Sequence, residues 1–292
     1  VAFGAAALEN VFEDITRGSS RARPRKTVPG LRAELRLSGV GYTYPGAAAP
    51  ALDGIDLTIT PGARIGLVGT SGAGKSTLAD LLMGLLPPTQ GRMSVDGRDI
   101  DSDALRRGWR ERIGYVPQDI YLTDATIAEN IAFGIPARDI NRDRLAACAR
   151  AAQLQDLIAG APEGWDMPIG ERGQRLSGGQ RQRIGIARAL YRGADILVLD
   201  EATSALDTAT EAAVIAAVEA LPDEVTVIMI AHNLTTLRGC DRILVLDEGR
   251  IAQDGPWDDL AGLDGPFRDH LAAAGLTARR ENKDENDIFA TN

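Results

Sequence analysis

The sequence predicts an α/β protein built on a doubly wound, largely parallel sheet, and three observations carry that expectation. Apolar runs of strand length alternate with segments of helical periodicity along most of the 292 residues. Two later runs, Ile196–Leu199 and Val225–Ile230, are β-branched and nearly unbroken, as in strands covered on both faces. A glycine-rich stretch, Gly69–Thr77, stands between a third short run, Arg64–Val68, and a helical segment, Lys75–Leu86.

Residues 1–15 place Phe3, Ala7, Leu8, Val11, Phe12 and Ile15 near one stripe and read as a helix. One so short is not expected to stand alone, and Val1 is not a methionine, so the chain reads as a fragment. Arg17–Lys26 carries five positive charges broken by Gly18, Ser19, Ser20 and Pro24. Composition makes it a solvated linker; the sharper alternative is a segment just behind a membrane helix.

Leu35–Tyr44 alternates through Leu35, Leu37, Val40, Tyr42 and Tyr44, broken near Gly39. Leu52–Thr60 alternates through Ile55, Leu57 and Ile59 before the turn pair Pro61-Gly62. Helical patterns occupy Gln180–Tyr191 and Thr208–Ala220. The Ala-rich segment Asn141–Ile158 interrupts the alternation and reads as an inserted helical subdomain. The charged tail after Ala278 is expected to fray.

Composition narrows the function. A hydrophobic content of 44% with 25% charged residues is that of a globular chain. The 32 basic and 41 acidic residues give a net charge of −9, and aromatics make up only 4%, which argues against nucleic acid as partner. No run reaches the roughly 18 apolar residues of a membrane-spanning helix, so the sequence is expected to be soluble as it stands. Cys148 and Cys240 lack paired spacing and suit a reducing cytoplasm.

Gly69-Thr70-Ser71-Gly72-Ala73-Gly74-Lys75-Ser76-Thr77 satisfies the phosphate-loop pattern. Its glycines let successive backbone N–H groups point inward at phosphate oxygens, and the following helix start adds partial positive charge. Lys75 is expected to bridge the β- and γ-phosphates, Ser76 to ligate Mg²⁺ and Thr77 to reach the α-phosphate. Asp200 and Glu201 end an apolar run, where one carboxylate can orient Mg²⁺. The other, placed elsewhere by strand alternation, can polarise an attacking water.

Leu176-Ser177-Gly178-Gly179-Gln180 opens a helix. Ser177 there reads either as a plain N-cap or as part of a second anion site made of helix-start amides and a hydroxyl. Two phosphate-gripping elements in one chain point to two copies meeting head to tail.

With these motifs in hand, residues 31–275 resemble the nucleotide-binding domain of an ATP-binding cassette (ABC) transporter. The resemblance implies an α/β fold: a P-loop ATPase core with a mixed or parallel sheet, an N-terminal antiparallel β subdomain and an inserted α-helical subdomain at about 119–176. The ATPase domain would span 31–278, behind an upstream helix and basic linker (1–30) and before a flexible tail (279–292). Leu176–Gln180 is similar to the family signature, so Ser177 and Gly179 would contact the γ-phosphate of ATP held by the other copy. Gln118 resembles the Q-loop glutamine that senses Mg²⁺ and γ-phosphate and faces the membrane domain. Ser204-Ala205-Leu206-Asp207 resembles the D-loop that crosses the dimer interface, His232 the switch histidine at the γ-phosphate, and Tyr44 the aromatic that stacks on adenine.

Ile169-Gly170-Glu171-Arg172-Gly173 resembles the exporter X-loop, which contacts coupling helices. Asn233 departs from the arginine usual in exporters. The resemblance therefore implies an ATP hydrolase that binds MgATP in a homodimer at the cytoplasmic face of a membrane and powers export through a transmembrane domain absent from this chain. Glu201, His232, Gln118 and Lys75 would carry the chemistry, and Ser76, Gln118 and Asp200 would serve Mg²⁺. The alternatives are a soluble ABC ATPase acting as a mechanical clamp and a small-molecule P-loop kinase, which would lack Leu176–Gln180.

Overall fold

The computed structural model describes residues 27–28, 30–202, 206–231 and 233–276. The expected helix over residues 1–15, the basic linker, the tail 279–292, and Ser204, Ala205 and His232 lie outside them.

Strand β1 (Leu35–Tyr42) buries Leu35, Leu37, Val40 and Tyr42, the alternating set read from the sequence. It pairs antiparallel with β2 (Leu52–Ile59) in the register Leu35↔Ile59 and Leu37↔Leu57, which then shifts before Val40↔Ile55. The shift falls at Gly39, whose φ of +54° suits a residue without a Cβ. Beyond β2 follow β3 (Arg64–Val68), α1 (Lys75–Leu82), β4 (Gln90–Val95), β5 (Arg98–Asp99) and α2 (Asp103–Arg110). Strands β2-β1-β4-β5 form a four-stranded antiparallel sheet.

Helix α1 stops at Leu82, four residues before the sequence pattern suggested. Gly84 takes φ +69°, its N–H bonds Leu81 O, and Leu85 N–H bonds Asp80 O, which closes the helix end and leaves Leu85 in solvent. The next elements are β6 (Ile113–Val116), α3 (Ile127–Ile131), α4 (Arg142–Ala151) and α5 (Gln155–Gly160). The Ala-rich segment forms two helices, divided where Gln153 adopts φ +52°.

Signature helix α6 (Gly178–Arg192), β7 (Ile196–Asp200), α7 (Thr208–Glu219), β8 (Thr226–Ile230), β9 (Arg242–Asp247), β10 (Arg250–Gly255), α8 (Trp257–Gly262) and α9 (Pro266–Ala273) complete the order. A six-stranded sheet runs β10-β9-β3-β8-β7-β6, parallel throughout except for the β9–β10 hairpin. That hairpin makes the sheet mixed.

Strand alternation splits the core in two. Ile196, Val198, Ile228, Ile230, Leu244 and Leu246 face one way and pack with α1 and the antiparallel sheet. Leu197, Leu199, Val227, Met229, Ile243 and Val245 face the other way and pack with α6, α7 and the helical insert. Each such fully buried side chain contributes about 1.5–3 kcal/mol relative to exposure. On the first side Trp109 of α2 is wholly buried and donates its indole N–H to Leu82 O at 2.8 Å, pinning α2 under α1. The doubly covered sheet brings the C-terminal ends of β3 and β7 to one edge, where the loops that follow them meet.

Candidate functional site

Val68 ends β3 and Lys75 opens α1, so residues 69–74 form the turn between strand and helix. Gly74 is the helix N-cap with φ +104°, and a Cβ on it would lie 2.8 Å from both Ala51 O and Leu52 Cδ2. Neither its conformation nor its space admits a side chain. The Lys75 ammonium folds back onto the loop, donating to Gly69 O at 2.7 Å and Thr70 O at 2.9 Å. Burial lowers its pKa, and the charges of Glu201 and Asp200 oppose that shift. Three opposing charges therefore share one small region.

Thr77 is buried, and its hydroxyl lies 3.2 Å from the Tyr44 hydroxyl. The Tyr44 ring meets Tyr42 edge to face at 4.9 Å and keeps much of its surface in solvent, while Tyr42 packs into the core. The two tyrosines of the alternating set are thus separated, Tyr42 into the core and Tyr44 to the surface.

Asp200 is the last residue of β7, and its Oδ2 accepts a 2.9 Å hydrogen bond from Tyr115 of β6. Burial, then that bond, pushes the Tyr115 phenol up to about 12. Asp80, on α1, is raised above the ordinary carboxyl range by burial and by the charge of Asp200. Glu201 lies just past the end of the strand, so alternation is not what separates it from Asp200. Its backbone turns instead into the left-handed region at φ +49°, with its N–H bonded to Ile230 O at 2.9 Å. A non-glycine residue held there stores about 1–2 kcal/mol, a cost that clusters at functional positions.

Tyr44, Gly69–Gly72, Gly74–Thr77 and Glu201 line one cleft of roughly 730 Å³. Ala231 and Leu234, either side of position 232, border it, as do His270, Ala273 and Ala274 from the end of the chain. Sequence reasoning missed His270 and its neighbours, because no local pattern marks a helix that folds back onto a distant loop. It also missed Tyr115, although that residue stands only three positions before Gln118.

The residues Ser177–Gln180 do not border that cleft among its described walls. They form a reciprocal cap on α6: Gln180 N–H donates to Ser177 Oγ at 3.2 Å, and Ser177 N–H to Gln180 Oε1 at 2.8 Å. Both readings of Ser177 are therefore compatible, since the capping serine is exposed and retains its own proton. Gln118 is exposed, and its carbonyl accepts from Gln182 of α6 at 2.6 Å. Asp207 caps α7 through Thr210 N–H at 3.0 Å. Asn233 donates to Glu211 Oε1 and Oε2 at 3.1 and 3.2 Å while accepting from Thr235, so it ties the loop after β8 to the first turn of α7. Glu171 and Arg172 of the X-loop-like stretch are exposed.

Among the described residues no three His, Cys, Asp or Glu side chains gather as a site for a transition metal would require. The donors at the phosphate loop are oxygens, the Ser76 hydroxyl and the Asp200 carboxylate. They fit a hard cation such as Mg²⁺, which is held mainly by phosphate and water with one or two carboxylates.

A phosphate loop at the end of a parallel strand, an acidic pair at the end of the strand two places away in the same sheet and a serine-capped glycine helix define a nucleotide-binding ATPase domain. The chain matches the ABC transporter family over residues 52–204, more than half its length, and it belongs to that family. It is 45% identical over 252 residues to an ATP-dependent lipid A-core flippase of Chromobacterium violaceum, covering 86% of this chain and 43% of that protein. With the flippase of the same name from Thiobacillus denitrificans it shares 44% identity over 264 residues, 90% of this chain and 45% of that one. Among solved structures, a bacterial Atm1-family ABC exporter with ATP bound superposes with a TM-score of 0.74 at 38% identity, over 88% of this chain and 44% of that one. The chain thus spans less than half the length of these relatives. Its ATP-binding, ATP-hydrolysing domain is the part described.

Proposed function

We propose that the chain is the motor domain of a membrane exporter, working as a head-to-tail homodimer. Each MgATP would lie between the phosphate loop of one copy and Ser177–Gln180 of the other. One observation carries this reading: the cleft is bordered by the phosphate loop, Tyr44 and Glu201 but not by Ser177–Gln180, whose capping Ser177 stands exposed outside it.

In that arrangement Tyr44 offers a ring face to adenine, the amides of Gly69–Gly74 receive the phosphate oxygens and Lys75 leaves its two carbonyls for the β- and γ-phosphates. Thr77, already hydroxyl-to-hydroxyl with Tyr44, lies at the α-phosphate end. Mg²⁺, held by Ser76, Asp200 and Gln118, would neutralise phosphate charge. Glu201 accepts the proton of the attacking water, giving ADP and phosphate, while His232 holds the γ-phosphate. Closure depends on the higher affinity of the paired state for ATP than for ADP, so cleavage releases the pair.

Export is supported by the relatives, which are named as flippases or exporters and have more than twice the length covered here. A transmembrane partner or domain at the cytoplasmic face of a membrane would receive the motion, near the exposed Gln118 and the X-loop-like residues. An amphiphilic lipid is the cargo class that the flippase names point to. The test is ATPase rate against protein concentration. A rise steeper than linear supports the shared site, and full specific activity at every dilution overturns it.

A further inference from the structure

Helix α6, which begins at Gly178, meets the backbone of the loop carrying Gln118 at a buried amide. Gln182 is 5% exposed, and its Nε2 donates to Gln118 O at 2.6 Å and approaches Pro117 O at 3.4 Å. Two carbonyls can be met only by the NH₂ end of the side chain, so the amide orientation is fixed. Its Oε1 is left buried without a hydrogen-bond partner among the described residues. One turn along the same face, Gly185 allows a close approach: a Cβ there would lie 2.2 Å from Ile120 Cδ1 and 3.4 Å from Val116 Cγ1. Residues on both sides of Gln118 therefore rest on the face of α6 presented by Gln182 and Gly185.

A buried acceptor without a donor is rare in folded proteins and disfavours the arrangement that contains it. Any shift of the loop that brings an N–H group or a water to Oε1 gains a bond. The pose of Gln118 and the pose of α6 are thereby linked in energy.

We propose that Gln182 is a positioning residue that couples nucleotide sensed at Gln118 on its own copy to the pose of Ser177–Gly179 offered to the other copy's nucleotide. This rests on the shared-site reading above. The amide joins the two ends of one lever, one facing the cis phosphates and the other the trans phosphates.

Gln182→Met keeps the volume while removing both the donor and the orphan oxygen. Three measurements on the 292-residue chain decide the matter: thermal melting, Mg²⁺-free binding of a fluorescent ATP analogue, and the ATP dependence of hydrolysis. The expected result is unchanged or higher melting and analogue affinity within twofold of wild type. With it, kcat falls about tenfold, within the usual range of coupling between sites, and the Hill coefficient drops to one. Wild-type kcat and Hill coefficient in the variant overturn the proposal, as does a joint fall in melting and affinity with cooperativity intact, which assigns a structural role.

Gly185→Ala, which presses on Ile120 and leaves Gln182 in place, should lose cooperativity in the same way. Adding Ile120→Val, which removes Cδ1, should restore it; no restoration overturns the proposal even where Gln182→Met does not fold. A wild-type chain with linear, non-cooperative hydrolysis instead removes the shared site itself, and the coupling with it.

Discussion

Tyr115 and Asp200, 85 residues apart in sequence, are joined by a 2.9 Å hydrogen bond from the phenol to Oδ2. It places a neutral donor on one oxygen of the carboxylate assigned to Mg²⁺. Tyr115→Phe should therefore raise the Mg²⁺ concentration for half-maximal ATPase by about tenfold, the lower end of what losing an outer partner of a metal ligand costs. Because the phenol is pushed up to about 12, it stays protonated at pH 7 and at pH 9, and the effect should be equal at both. In stability the sign is set by the raised value: the contribution is complete below pH 10 and is lost as pH rises through about 12. A Mg²⁺ titration of the variant matching wild type would remove Tyr115 from the site.

Glu201→Gln keeps shape and hydrogen bonding but cannot take a proton. Turnover should fall on the order of 10²-fold or more, the usual value of a general base, with ATP binding retained. Size-exclusion chromatography with MgATP should then show an accumulated dimer. Undiminished turnover would assign the proton to another group.

The left-handed backbone of Glu201 makes a separate prediction about stability. Asparagine tolerates that region better than residues with longer side chains do. Glu201→Asn should be as inactive as Glu201→Gln yet melt about 2 °C higher, the shift expected from up to 1 kcal/mol in a domain of this size. Identical melting of the two variants would mean the backbone there carries no strain.

What the sequence made legible was local. Gly69–Thr77 and Leu176–Gln180 are contiguous, so their strand–turn–helix and capped-helix settings could be read directly, and β3 lies where its apolar run placed it. Tyr115–Asp200 and Gln182–Gln118 span 85 and 64 residues, and no pattern in either segment announces its partner. Strand β4 was missed because its first three residues are exposed and only three buried ones follow, and β10 because exposed residues interrupt its apolar ones. Helix α2 was missed because half of its residues are charged and its two large buried side chains, Leu105 and Trp109, are too few to make a visible stripe. The break in the Ala-rich segment depends on the backbone angle of Gln153, a residue whose identity does not demand it.

Ser177 is both a helix cap and the proposed γ-phosphate contact, and substitutions can separate the two. Alanine removes the cap and should cost about 1 kcal/mol of stability. Aspartate is an equally good cap, so Ser177→Asp should melt near wild type, yet its charge would face the triphosphate of the other copy and abolish hydrolysis. Ser177→Arg should likewise bind nucleotide and fail to close. Normal ATPase in Ser177→Asp would leave the serine with only its capping role.

Complementation tests the head-to-tail arrangement most directly. Lys75→Ala removes the ammonium that now bridges Gly69 O and Thr70 O, and with it the main charge for the phosphates, so this variant alone should be inactive. Ser177→Asp alone should also be inactive. In a mixed pair both lesions fall on the same shared site, while the second site combines an intact phosphate loop with an intact signature. Random pairing of equal amounts makes half of the dimers mixed, each with one good site, so two dead proteins should recover up to about one quarter of wild-type activity when combined. Sites complete within single copies would give no recovery at any ratio, because every copy in the mixture would still carry its own lesion.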